Sequence, residues 1–205
     1  MKNFEKSEYT LKENLHLSAI FFLFGVSIMS LAPRTPDLKA NLNINNGTFG
    51  TLLSSASIGS IIMLLIGGQI VHRIGAKKAL RIGSTIVATS FITLVHTQSP
   101  IVFLFVNIAA GAGISLYHIS STGHTLHRQD EVGRIIIPKL HGAWGFGAMS
   151  TAAIAFAIST HITVAWHITV LMITVFSLTQ YVITKLTPTF PPSAHSDDDY
   201  QLTSL

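Results

Sequence analysis

A stripe of polar residues runs through one apolar stretch of the chain and has the clearest capacity for chemistry. Asn107, Ser115, His118 and Thr122 recur at intervals of three to eight residues, which at about 100° per residue places them on one face of a helix. Amide, hydroxyl and imidazole groups in apolar surroundings need a partner or water. The stripe therefore predicts either hydrogen bonds between helices or one wall of a substrate pathway, and these four residues are our pathway candidates.

Two other groupings suggest chemistry that the spacing does not favour. His118, His124, His127 and His141 could gather as metal ligands, but no Cys and no nearby pair of carboxylates supports them, except Asp130 and Glu131 in the loop that follows. Ser115 and His167 resemble the serine and histidine of an intramembrane protease, yet they lie about 22 Å and 8 Å from the outer ends of their segments. We therefore expect no catalytic residues, no metal site and no cofactor.

Composition sets the class of the protein. Charged residues make up 11% of the 205 residues and hydrophobic residues 48%, whereas soluble domains carry about 25% charged residues. The mean hydropathy is +0.51. A soluble domain of this size needs more charge to cover its surface. The chain is thus predicted to be an integral membrane protein, which excludes most soluble enzymes, a disordered chain and an ordinary nucleic-acid binder.

Six stretches are apolar and long enough to cross a bilayer as helices, which takes about 20 residues. They are Leu15–Leu31, Thr48–Val71, Ala79–Val95, Ser99–Thr122, Leu140–Ser159 and Ile162–Ile183. The predicted fold is an all-α membrane bundle of six transmembrane helices. The predicted organisation is a cytoplasmic tail over 1–14, a six-helix domain over 15–186, and a disordered cytoplasmic tail or central linker over 187–205. We expect the first stretch to be a retained span, since Pro33 directly follows the small residues that could form a signal-peptide cleavage site.

Basic residues alternate from one connection to the next. Only Arg34 and Lys39, out of 13 Lys and Arg, fall on the side opposite the termini. Cytoplasmic loops carry the excess of Lys and Arg, so both termini are predicted to be cytoplasmic.

Small residues form ridges at spacing four, which permit close contact between helices in lipid. A ridge in the second stretch comprises Ser55, Gly59 and Gly67. A ridge in the fifth stretch comprises Ala143, Gly147, Thr151, Ala155 and Ser159. These ridges predict either packing within the six-helix unit or docking of a second unit.

The connection after the second stretch carries a motif. Its sequence is Gly68-Gln69-Ile70-Val71-His72-Arg73-Ile74-Gly75-Ala76-Lys77-Lys78, which resembles the signature loop of the major facilitator superfamily. We expect Gly68 to allow close approach of helices and Gly75 to permit a tight turn. The gating-loop candidates are Gly68, His72, Arg73, Gly75, Lys77 and Lys78.

A weaker copy of this motif supports the resemblance, and two positions differ from the superfamily pattern. The copy is Arg128-Gln129-Asp130-Glu131-Val132-Gly133-Arg134, at the matching place of the second helix triplet, as expected for a three-plus-three repeat. His72 stands where the superfamily has an acid, and Asn107 stands where it often has an arginine.

The resemblance covers the N-terminal, six-helix half of such a transporter and implies secondary transport of a small solute by alternating access. The implied partners are the solute, the lipid bilayer of a bacterial inner membrane, and a second six-helix half, either a C-terminal half or a second copy of this chain. We expect no enzymatic activity and no nucleic-acid partner. The alternative is a truncated remnant or membrane scaffold that keeps the half fold without transporting.

Overall fold

The computed structural model describes residues 2–133 and 135–187. The described chain folds into helices without strands. Short connections make consecutive long helices run antiparallel. The predicted tail over 187–205, with the exception of Thr187, lies outside the described residues, as does Arg134. The elements are α1 (Lys2–Met29), a 3-10 turn (Ala32–Arg34), α2 (Thr35–Leu42), α3 (Asn46–Ser54), α4 (Ala56–Ile74), α5 (Ala76–His96), α6 (Pro100–Val132), α7 (Ile137–Ile158) and α8 (Val164–Lys185).

The helices confirm the predicted all-α bundle and correct several of its boundaries. Helix α1 starts at Lys2, well before the predicted first span, so much of the segment predicted as a tail is helical. The predicted second span consists of two helices, α3 and α4, that meet at Ser55. Helix α6 continues to Val132, past the predicted end at Thr122.

Five helical segments are long and apolar enough to cross a membrane. They are Lys12–Leu42, Asn46–Ile74, Ala76–His96, Pro100–Asp130 and Val164–Lys185. The fifth predicted span, α7, is not among them. It is as long as α8, at 22 residues, but Gly, Ala, Ser and Thr replace many of the larger apolar side chains. These small residues let α7 lie directly along α1.

Local sequence explains where the helices start and turn. The Asn45 side chain accepts a hydrogen bond from the Thr48 amide at 2.9 Å and so caps α3. Pro100 occupies the first turn of α6 after the Ser99 cap. Gly75 alone separates α4 from α5, with φ +83°, a conformation that side chains with a Cβ avoid. The predicted tight turn at Gly75 is confirmed.

Glycine allows three pairs of helices to approach backbone to backbone. A Cβ on Gly147 of α7 would meet the carbonyl oxygen of Phe22 in α1, and a Cβ on Gly25 would meet the backbone of Trp144. Helices α4 and α6 meet in the same way at Gly59 and Gly111. Between α5 and α6, Gly83 faces the backbone of Tyr117 and Gly113 faces Ile86.

These contacts decide the role of the small-residue ridges. On α7, Gly147, Thr151 and Ala155 are buried. On the other ridge, Ser55, Gly59 and Gly67 are buried. Both ridges therefore pack inside the six-helix unit, and neither leaves its central residues free for a second unit.

Each end of the bundle is closed by contacts between distant parts of the chain. Glu13 of α1, Lys77 of α5 and Thr187 after α8 lie at what we call the terminal end. Arg34 lies at the opposite end, where its Nη2 donates to the backbone oxygen of Ile162 at 2.8 Å. This arrangement brings the start of α1 and the end of α8 to the same end of the bundle.

The glycine contacts predict opposite effects for two neighbouring substitutions in α7. Gly147→Ala should destabilise the chain by about 1–3 kcal/mol, because its methyl group has no room against α1. Gly145→Ala should be neutral or stabilising by up to about 1 kcal/mol, since the space around Gly145 is open and Ala favours the helix. Thermal unfolding in detergent measures both changes, and equal melting temperatures for the two variants would contradict this packing.

Candidate functional site

A cavity of about 320 Å³ opens on one face of the bundle. It lies where the α1–α7 pair meets the α4–α6 pair. The lining residues are Phe21, Phe24 and Ile28 of α1, Leu64 of α4, Ile114, Ser115 and His118 of α6, and His141 and Trp144 of α7. This volume is at the lower end of the range for small-molecule sites, so the cavity can hold one small solute.

Aromatic rings form much of the cavity wall. The ring of Phe24 stacks on Tyr117 with a centroid distance of 4.3 Å, and lies 6.1 Å from the ring of His118. The ring of Phe21 lies 5.5 Å from that of His141. The two histidine rings face each other edge to face at 6.4 Å. Both imidazoles are thus oriented by aromatic neighbours.

Two of the four predicted pathway residues, Ser115 and His118, line the cavity one helical turn apart. Within the described part of the chain, neither makes a hydrogen bond. In contrast, Ser120 and Thr125 of the same helix each donate to a carbonyl oxygen four residues earlier. The side chains of Ser115 and His118 therefore keep their hydrogen-bonding capacity for an occupant of the cavity.

The other two predicted pathway residues lie outside the cavity lining. Asn107 is buried, and its Nδ2 donates to the carbonyl oxygens of Leu52 at 2.8 Å and Leu53 at 3.0 Å. Its amide group thus adds hydrogen bonds from α6 to the carbonyls where α3 ends and α4 begins, beside those that Ser55 donates to Leu52. Thr122 is half-buried, and its Oγ1 has no hydrogen-bond partner among the described residues.

The loop that resembles the superfamily signature is mostly exposed. His72, Arg73 and Lys78 lie on the surface. The Lys77 Nζ donates to the backbone oxygen of Leu186 at 2.6 Å, which ties the start of α5 to the end of α8. The loop therefore contacts the last helix of this unit through one of its basic residues.

The expectation that Gly68 allows close helix approach is wrong within this unit. A Cβ on Gly68 would meet nothing within 4 Å, whereas one on Gly67 would meet Ile119 of α6 at 2.7 Å. Adjacent residues point about 100° apart on a helix, so the contact belongs to Gly67. Gly68 is left on the outer face of α4, one turn beyond the cavity-lining Leu64.

A buried acidic centre that sequence analysis missed lies at the terminal end. The Oε1 of Glu13 accepts from the Thr187 amide at 3.0 Å and from its hydroxyl at 2.7 Å. The His124 Nε2 lies 3.4 Å from the same oxygen. Glu13 is in register with the buried Leu17 and Ile20 of α1, and this apolar periodicity was the signal that could have identified it.

A buried basic residue lies at the opposite end. Arg34 is 1% exposed and its Nε lies 2.8 Å from the Asp37 carboxylate. Its Nη2 reaches the backbone oxygen of Ile162 in the connection between α7 and α8. Arg34 thus pairs its charge locally and fastens the exit of α1 to that connection.

The histidines do not assemble into a metal centre in the part of the chain that the structure describes. Residues 2–133 and 135–187 contain no group of three or more His, Cys, Asp or Glu able to hold a metal ion. His118 and His141 face the cavity, whereas His124 turns toward Glu13. Three of the four histidines of the metal alternative are therefore divided between two places.

Comparisons with known proteins agree with the geometry. The chain matches the model of the transmembrane secretion effector family, a family of the MFS class, over residues 2–198. It is 21% identical to an uncharacterized MFS-type transporter of Yersinia pestis over 129 residues, which is 63% of this chain and 34% of that relative. The match thus leaves about two thirds of the relative's length uncovered.

The conformation of Gly75 predicts a contrast between two variants of the signature loop. Gly75→Val should cost about 1–3 kcal/mol, because a branched side chain is strained at φ +83°. Lys78→Arg keeps an exposed positive charge and should behave as wild type. The amount of folded protein extracted from membranes measures both. A wild-type yield of Gly75→Val would contradict the strain expected at this position.

The contacts of the acidic centre predict that two substitutions of Glu13 lower the stability of the chain to different extents. Glu13→Ala leaves the Thr187 donors and His124 without their acceptor and should lower stability by about 1–3 kcal/mol. Glu13→Gln keeps an oxygen that can accept from Thr187, so its loss should be smaller. Melting temperatures in lipid nanodiscs test the order, and an Ala variant as stable as wild type would refute the role of this centre.

Proposed function

The chain belongs to the transmembrane secretion effector family of the major facilitator superfamily, and on that premise we propose that it forms one half of a secondary transporter. It moves a small solute by alternating access, in which two six-helix units rock against each other around a central site. The chain is an integral membrane protein with at least five helical segments suited to crossing a bilayer.

The position of the cavity is the observation that carries the proposal. His118, His141 and Leu64 line it and are exposed on the face of the bundle. A cavity with unpaired polar groups on the membrane-facing side of a bundle is costly unless something encloses it. A second unit packed over this face supplies the missing wall.

The helices that flank the cavity suit such a unit. On α4, Gly68 lies in line with Leu64, and on α7, Gly142 and Gly145 follow the lining residue His141. A Cβ on any of these three glycines would meet nothing within 4 Å. Apolar side chains beside them, including Leu65 at 75% exposed and Phe146 at 61%, offer contact area. Small residues beside apolar ones are the surfaces through which membrane helices associate.

The second unit is a C-terminal half or a second copy of this chain. The unmatched two thirds of the Yersinia pestis relative supports the first form. The two forms share the cavity and differ only in what encloses it.

The terminal end of the bundle faces the cytoplasm in this proposal, in a bacterial inner membrane. Among the basic residues that the structure describes, only Arg34 and Lys39 belong to the opposite end. Cytoplasmic loops are the ones enriched in Lys and Arg, so this bias supports cytoplasmic termini. Anionic lipid at that surface also favours the exposed Arg73 and Lys78.

Solute retention in cells tests the transport proposal. The chain is expressed in bacteria that lack their own exporters, from a genomic fragment that keeps the flanking coding sequence, so that any second half encoded beside it is also made. The cells are loaded with a panel of fluorescent solutes of both charges. Expression should lower or raise the retention of at least one solute several-fold. Ser115→Leu, which fills the cavity, should abolish this change.

Ser177→Leu provides the matched control, because Ser177 is exposed on α8, away from the cavity lining. It should leave the change in retention intact. Unchanged retention of every solute, with the chain at normal level in the membrane, would contradict transport and favour the non-transporting remnant or scaffold.

A further inference from the structure

The cavity is lined by hydrogen-bond donors that have no acceptor among the described residues. Besides Ser115 and His118, the indole of Trp144 lines the cavity. Within residues 2–133 and 135–187, the Trp144 side chain makes no hydrogen bond. An indole N–H can only donate, so it requires an acceptor from whatever fills the cavity.

Negatively charged hydrogen-bond acceptors are absent from the described lining of the cavity. No Asp or Glu is among its residues, and the buried Glu13 is already engaged by Thr187 and His124. The Nδ1 of His141 lies 3.2 Å from the backbone oxygen of Ile137. Because a carbonyl only accepts, this nitrogen carries the proton, and the Nε2 offers an occupant an uncharged acceptor and no negative charge.

The apolar part of the lining selects for a flat body. The rings of Phe21 and Phe24 and the indole of Trp144 are joined there by the side chains of Ile28, Leu64 and Ile114. Aromatic rings pack best against other rings in stacked or edge-to-face contact. An aromatic solute can therefore lie against the rings of α1 and α7 with its polar group toward α6.

We propose that the cavity binds a small aromatic or similarly flat apolar acid, whose carboxylate accepts from Ser115, His118 and Trp144. A carboxylate is an acceptor-only group with about four lone-pair sites, which matches three donors in one cavity. Hydrogen bonds to a charged acceptor are about twice as strong as neutral ones. Naming this class of solute rests on the proposed transport function, but the binding step needs only residues of this chain.

An aromatic ammonium ion is the rival occupant, since ring faces attract cations. Such an ion donates hydrogen bonds and cannot accept them, so it would leave the Trp144 N–H unpaired. It would also find no carboxylate in the described lining. The donors at the cavity therefore favour the acid over the amine.

Trp144 itself reports on the proposal. The chain has two tryptophans, and the other, Trp166, is 70% exposed on α8. In a Trp166→Phe background, Trp144 is the sole indole in the purified full-length chain in nanodiscs. The probes are iodophenylacetate, iodobenzylammonium and iodobenzyl alcohol, whose heavy atom quenches indole fluorescence on contact.

The acid should quench Trp144 in a saturable way and bind about tenfold or more tightly than the amine and the alcohol, the factor expected for one charge-assisted hydrogen bond. His118→Leu should reduce this preference to about threefold or less. His161→Leu, in the exposed connection before α8, is the matched control and should keep it.

Each contrary outcome is distinct. An amine that binds as tightly as the acid would overturn the proposed solute class and leave the transport proposal standing. Quenching that does not saturate for any probe would show partition into lipid and overturn the binding site. Preferential binding of the acid combined with no transport in cells would refute the proposed function alone.

Discussion

Close backbone contact at glycine is the constraint on which this bundle depends. Lipid is as apolar as the helix surfaces, so burial of apolar side chains cannot hold helices together in a membrane. Short-range dispersion attraction between the helices must hold them together instead, and this requires that one helix lack a side chain where the other passes. Gly147 provides this contact for α1 with α7, Gly59 for α4 with α6, and Gly83 for α5 with α6. Helix α6 is consequently fixed between α4 and α5, and its polar face is held at a set angle.

The cavity follows from how these pairs are arranged. The α1–α7 pair and the α4–α6 pair are each tight within themselves, and the space between them is lined by Phe24, Leu64 and Trp144. The same face of α6 that carries Gly111 against α4 carries Ser115 one turn later and His118 two turns later toward that space. Tight packing and free polar groups thus alternate along one helix.

Periodicity in the sequence predicts which residues share a face of a helix, but it does not predict which groups on other helices those residues contact. The six helices, the turn at Gly75 and the cavity positions of Ser115 and His118 follow from apolar length, glycine and a helical period. The partner of Asn107 does not, because it is a carbonyl at the end of α3, and the apolar run conceals the break at Ser55 where α3 ends. The sequence pattern predicts close helix approach at both Gly67 and Gly68, and of these two Gly67 makes the contact, because adjacent residues point about 100° apart on a helix. Glu13 was missed because its acceptor role requires Thr187, at the other end of the chain.

Transport by this chain requires that the space beside His118 hold water and solute instead of lipid. The most direct measurement uses the absence of Cys from the chain, which makes any introduced cysteine the sole thiol. His118→Cys and Ile173→Cys, the latter at a site 55% exposed on α8, are compared in native membranes with a water-soluble thiol reagent, which reacts only with a hydrated thiolate. We expect the cysteine at 118 to be labelled and the one at 173 not to be. Equal inertness of both cysteines would contradict it.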